Sequence, residues 1–243
     1  MRRAGDRVAR RATLLLSGLA LYGVSTALLV RAGLGTDPWT VLTQGLARTT
    51  GLTLGVVVVL ISAVVFVLWV PLRQRPGIGT FANAVLVGPV LDQALRVLPA
   101  PGPWPWRLLS LFAGVVGTAV ATGLYVGAGW GPGPRDGLMT GLARLGVPLL
   151  VARTLVEASV LAGGWLLGGT VGIGTAVYAL GIGPLVAFFL PRLALPPDEP
   201  RAAPTTGSPR TGSRWSAAVR ARHRPTTPEQ PCTERHADHC PRR

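Results

Sequence analysis

Between Thr13 and Leu190 the chain carries only four acidic residues, Asp37, Asp92, Asp136 and Glu157, against nine arginines. So long a stretch with so little charge cannot dress a water-facing surface, because a soluble globular chain is about one quarter charged. Over all 243 residues 14% are charged and 49% hydrophobic. The stretch reads as a domain solvated by lipid.

A helix needs roughly 20 apolar residues to cross a bilayer. Six runs qualify, at about 13–30, 53–71, 78–97, 108–127, 148–168 and 171–190. The first follows a basic segment, residues 1–12, and so resembles a secretory signal. Its apolar run is long for a signal core, however, and no Ala-x-Ala site closes it, so a first transmembrane helix is expected. The expected fold class is therefore all-α, a polytopic transmembrane helix bundle of about six spans.

Every basic residue is arginine, and the net charge of +14 sits mainly at the ends: five arginines precede Thr13 and ten follow Leu190. Membrane topology accounts for this more simply than nucleic-acid binding, and no nucleic-acid partner is expected. With a cytoplasmic N-terminus, the inner segments hold Arg73, Arg75, Arg135 and Arg144, and the outer ones only Arg31, Arg48 and Arg107. The positive-inside rule then puts both termini in the cytoplasm.

From residue 191 the composition turns to Pro, Arg, Thr, Ser, Asp and Glu, which cannot bury enough apolar surface to order itself. Residues 191–243 are thus expected to be a disordered cytoplasmic tail, suited to anionic lipid or a protein partner. The only cysteines, Cys232 and Cys240, lie there with His236 and His239, in a spacing that matches no zinc pattern. No metal and no cofactor is expected.

Two sequence blocks recur. Residues 33–48 match residues 129–144 at eight of 16 positions, offset by 96, and residues 77–89 match 172–184 at seven of 13, offset by 95. Two separated blocks at almost one offset indicate duplication. The halves are residues 13–98 and 99–190, with three spans each. An odd number of spans per half makes the second enter the membrane upside down, a pattern common among transporters. Each 33–48-type loop pairs Gly-x-Gly with a proline and a stretch too short to span. In the first, Asp37 is placed to cap a helix opening at Pro38; in the second, Asp136 is placed to cap Gly137 onward. Either these short helices dip into the membrane from opposite faces and aim their N-terminal dipoles at an anion, or they lie on the two surfaces.

Arg153 and Glu157, four apart in the fifth span, share a helix face and are expected to pair. Near the bilayer centre each charge costs roughly 2.5–3.5 kcal/mol, so the pair should face the protein interior. It serves either as a substrate or coupling site or as an interhelical clamp. The first-half counterparts, near Val57 and Ile61, are apolar. Arg135 and Asp136 form either a ligand-neutralising pair or a loop lock. Asp92 and Arg96 read as a solvated pair, and Asn83, Thr80 and Thr175 as candidates for hydrogen bonds across helices.

Four features resemble the YczE/YitT-like family of bacterial membrane proteins: the Gly-Leu-Gly-Thr-Asp-Pro-Trp loop at 33–39, Gly-Pro-Arg-Asp-Gly-Leu-Met at 133–139, the Val151, Arg153, Glu157 spacing, and Gly-Gly-Thr-Val-Gly-Ile-Gly-Thr at 168–175. The resemblance covers about residues 13–190. It implies a multispan protein of the bacterial plasma membrane, of a kind described as a candidate transporter without an established substrate. The family motifs fall on Asp37, Pro38, Arg135, Asp136, Arg153, Glu157 and Thr175, and bring no biochemical role with them.

The leading expectation is a small secondary transporter or exporter of an unidentified solute, with Arg153, Glu157, Arg135, Asp136 and Asp37 as binding or coupling residues. The alternative is a non-transporting accessory or assembly protein. An enzyme is not expected. All three histidines are in the tail, and Asp37 and Asp136 are read as lying on opposite faces, which leaves no aspartyl pair.

Overall fold

The apolar runs become helices, as a hydrocarbon environment requires of any backbone that crosses it. The computed structural model describes residues 2–74, 76–99, 102–131 and 133–195. The expected disordered tail and its Cys/His group therefore lie outside the described residues, apart from the last turn of the final helix. Eight helices follow in order: α1 (Arg2–Ala32), α2 (Pro38–Thr50), α3 (Leu54–Trp69), α4 (Ile78–Val97), α5 (Trp104–Gly127), α6 (Pro134–Arg144), α7 (Leu149–Leu166) and α8 (Ile173–Leu193). No strand occurs among the described residues. The basic segment before Thr13 is the continuous start of α1.

Among the described residues five helices, α1, α4, α5, α7 and α8, are long and apolar enough to cross a bilayer. Helices α2 and α3, bent by 112° at a short break, supply a sixth crossing if counted as one broken span. The chain is a polytopic membrane helix bundle.

Each half has the same plan: long helix, short helix, then two more. The first helices of the halves, α1 and α5, pack antiparallel. Gly18 lies against the Tyr125 backbone, Gly117 against Ser25, Gly114 against Leu29, and Arg107 against Gly33. A Cβ on Gly18 or Gly114 would come within 2.8 or 2.7 Å of its neighbour, so small residues set the approach of the two backbones. Leu29, Ala32, Leu111 and Val115 bury the rest of that contact.

The repeated sequence blocks turn out to be two sides of one contact, made twice. Gly79 N–H donates to the Trp130 carbonyl at 2.9 Å, and Gly174 N–H to the Leu34 carbonyl at 2.8 Å. Each Gly-x-Gly loop of one half therefore docks on the Gly-Ile-Gly-Thr helix start of the other. The docked glycines Gly35 and Gly131 have φ of 107° and 116°. A side chain there would be strained and would meet Thr175 Oγ1 at 2.6 Å or Thr80 Oγ1 at 2.9 Å. Both threonines accept the N–H of their own helix cap, Gly77 to Thr80 and Gly172 to Thr175. For Thr175 this local bond stands where one across helices was expected.

The halves differ at one seam. Helices α3 and α4 pack through Gly55 and Gly88, where a Cβ on either would meet the other's carbonyl oxygen at 2.2 or 2.4 Å. Asp92 fastens the seam by accepting from Thr53 Oγ1 at 2.6 Å and Gly55 N–H at 2.8 Å. Asp92 is thus bound to the start of α3, which corrects the expected pairing with Arg96: free N–H groups at a helix N-terminus attract a carboxylate more firmly than an exposed guanidinium does. In the second half α7 and α8 barely touch. Counted at offset 95, their counterparts of Gly55, Gly88 and Asp92 are Leu150, Gly183 and Ala187. Nothing lies within 4 Å of a Cβ built on Gly183.

Candidate functional site

Two short helices start where a membrane helix would be expected to continue, and this builds the site. The loop before α2 leaves the end of α1; the loop before α6 leaves the end of α5. Because α1 and α5 are antiparallel, those loops begin at opposite ends of the bundle. Their first residues nevertheless meet: Arg135 Nη1 lies 3.3 Å from Asp37 Oδ2. From that meeting point α2 runs back to the end of α7, with Gly164 against Leu42 and the Arg48 guanidinium on the Gly168 carbonyl. Helix α6 runs the opposite way to the end of α3, with Gly137 against Trp69 and Gly141 against Leu72. The short helices dip into the bundle rather than lying on its surfaces.

Local chemistry fixes each start. Asp37 caps α2, accepting the Thr40 N–H at 3.1 Å, with Pro38 in the first turn, as its position predicts. The cap of α6 is Gly133, with no side-chain hydrogen bond, and the helix opens at Pro134. Asp136 is therefore not the cap that the sequence suggested. It stands in the first turn, because the counterpart of Asp37 at offset 96 is Gly133. Trp69 Nε1–H donates to the Pro134 carbonyl at 3.1 Å and holds this start against α3.

The meeting point is a cavity of about 430 Å³ that brings together all five residues singled out from the sequence, Asp37, Arg135, Asp136, Arg153 and Glu157. Asp37 and Asp136 thus share one cavity, which corrects their placement on opposite faces: the loops start at opposite ends, but the starts of the two short helices meet. The expected Arg135–Asp136 pair is corrected too, since Arg135 turns to Asp37 of the other half and stacks over Trp39, 5.2 Å from the ring centroid. Arg153 and Glu157 pair as spacing predicted, Nε to Oε1 at 3.0 Å. Their counterparts, counted from the helix starts at Leu54 and Leu149, are Val58 and Ser62, one position beyond those read from the sequence, and both line the cavity.

Charge is distributed unevenly. Each guanidinium has one carboxylate in contact. Asp136 has no cationic group in contact among the described residues; the Tyr125 hydroxyl donates to its Oδ2 at 3.4 Å. Asp37 is buried, whereas Asp136 is exposed, and what it faces is the cavity it lines.

Sequence reasoning missed the aromatic wall. Tyr22 of α1, Tyr125 of α5 and Tyr178 of α8, the three tyrosines of the chain, all line the cavity with Trp39. Tyr22 and Tyr125 meet edge to face, centroids 6.1 Å apart. The signal was present: hydroxyl-bearing rings inside apolar spans, with Tyr178 aligned on Asn83 within the second repeated block. Asn83 lines the cavity as well. Among the described residues no group of three His, Cys, Asp or Glu is placed to hold a metal ion.

Residues 9–191 match a family described as a family of unknown function, DUF6198. A protein of Haemophilus influenzae, named only as uncharacterized, is 39% identical over 189 residues, covering 77% of this chain and 87% of its own. The membrane protein YczE of Bacillus subtilis is 34% identical over 187 residues, covering 75% and 86%. A second Bacillus subtilis protein, YyaS, is 28% identical over 179 residues, covering 72% and 89%. No solved structure matches. The paired Gly-x-Gly loops, the two short helices and the charged cavity lie within the matched region, and the chain belongs to this YczE-like family of membrane proteins.

Proposed function

We propose that the protein is a small secondary transporter of the plasma membrane, with the cavity between its halves as the solute site. The supporting observation is the convergence of charged side chains from α2, α6 and α7 on one void, at the point where two short helices from opposite ends of the bundle meet. Ionisable groups inside membrane spans are expensive and mark substrate or ion pathways. Broken helices meeting at mid-depth are the usual frame of such sites.

In this reading the halves are inverted repeats. The antiparallel α1 and α5, and the loop contacts made twice, support it. Both termini face the cytoplasm. Three of the arginines at the other rim, Arg31, Arg48 and Arg107, are each bound to backbone carbonyls at the end of another helix or its loop: Leu95, Gly168, and Ala32 with Gly33. They act there as caps rather than as free topological charges.

The test is reconstitution in liposomes and measurement of transport current against a panel of amines, amino acids and organic anions, with Asp136→Asn as the comparison. A solute-dependent current that the variant lacks supports transport. Silence across the panel, together with loss of cellular function on truncation after Pro191, favours a non-transporting accessory protein.

A further inference from the structure

The cavity has a side door and an unspent negative charge. We propose that its ligand is an amphiphilic organic cation, an amine or quaternary ammonium on an apolar body, admitted sideways between α7 and α8. This rests on the transport reading and names the substrate class for the same site.

The charge argument comes first. Asp37 with Arg135, and Glu157 with Arg153, cancel pairwise. That leaves Asp136, exposed into the void, where neutral donors, the Tyr125 hydroxyl and the Gly133 backbone, reach it and no cation is in contact among the described residues. The helix starts that would favour an anion each already have a carboxylate, since Asp37 caps α2 and Asp136 stands in the first turn of α6. The rings of Tyr22, Tyr125, Tyr178 and Trp39 share the cavity with Asp136. Aromatic faces beside a carboxylate are the chemistry that holds ammonium groups.

The route follows from the asymmetry of the seams. Between α3 and α4 the first-half seam is closed by glycine contact and clasped by Asp92. Between α7 and α8 the equivalent seam has a leucine at the Gly55 position, an alanine at the Asp92 position and open space at Gly183. Leu150 on one edge and Ala179, Gly183 and Val186 on the other all line the cavity. The void therefore runs out between these helices to the side, where the exposed residues Leu155 and Leu180 are apolar. A ligand filling this space has its charged end at Asp136 and its apolar end in the slot.

The test uses the full chain in nanodiscs, titrated separately with radiolabelled tetraphenylphosphonium, with tetramethylammonium and with dodecanoate. Saturable tetraphenylphosphonium binding is expected. It should weaken by about tenfold or more in Asp136→Asn, a loss of roughly 1.4 kcal/mol, while Asp136→Glu, which keeps the charge and reports on folding, holds it. Filling the slot with Gly183→Leu or Ala179→Leu should weaken tetraphenylphosphonium binding and spare tetramethylammonium. Equal binding of tetraphenylphosphonium by wild type and a monodisperse Asp136→Asn overturns the assignment of the cation site. Equal losses of both cations in the slot variants overturn the lateral route. Binding of dodecanoate alone overturns the substrate class while leaving the cavity as a solute site, whereas no binding of any probe together with a silent transport panel removes the transport reading as well.

Discussion

Arg135 of the second half and Asp37 of the first, 98 residues apart, stand 3.3 Å from each other inside the bundle. This contact joins the starts of both short helices. Asp37 also caps α2, so one carboxylate serves two elements.

Asp37→Ala should therefore remove the cap, worth about 1 kcal/mol, and strand the half-buried Arg135 guanidinium, for a total of about 2–4 kcal/mol. Asp37→Asn keeps a capping oxygen and should cost visibly less. Thermal unfolding in detergent orders the two; equal losses would mean that the cap contributes nothing, and no loss in Asp37→Asn that the ion pair contributes nothing.

The seam asymmetry gives a paired test at Gly88 and Gly183. Both precede a proline within a helix, so the local backbone cost of adding a methyl group is common to the two positions. Gly88→Ala drives a Cβ into the Gly55 carbonyl and should lower stability by about 1–3 kcal/mol more than Gly183→Ala. Matching melting temperatures would contradict the packing described for α3 and α4.

Opposite labelling should follow from the way the short helices run. With Cys232 and Cys240 replaced, Thr50→Cys at the end of α2 should react with an impermeant maleimide from outside the cell. Leu145→Cys, just past α6, should react only after permeabilisation. Labelling of both from the same side would rule out inverted halves.

Glu157→Gln leaves Arg153 without its partner at the mouth of the slot. Transport should fall by about tenfold or more, while insertion and melting change little, because a half-exposed ion pair contributes at most about 1 kcal/mol to stability. Undiminished flux would remove Glu157 from the coupling site.

How much of this was legible depended on the range of the interactions. Long apolar runs announced the spans, and Pro38 after Asp37 announced a capped helix, because those signals lie within a few residues. Asp136 misled as a cap, because a glycine with extended backbone, Gly133, serves as well and leaves no signature of its own. Arg135 was read with its neighbour in sequence, and Asp92 with the residue four further on, since nothing local says that a partner waits in another helix. Spacing sufficed for Arg153 and Glu157, which share one face of one helix. The cavity's tyrosines were scattered over three helices, and only the fold gathers them.

Arg31, Arg48 and Arg107 have a consequence for the field around the molecule. Each stands against the negative carbonyl end of α4, α7 or α1, which offsets part of its charge at close range. The formal charge remains, together with that of the exposed Arg96 in the last turn of α4, so the rim keeps a positive field within a Debye length. An anion is drawn toward that side over the last stretch of its approach, and added salt weakens the pull.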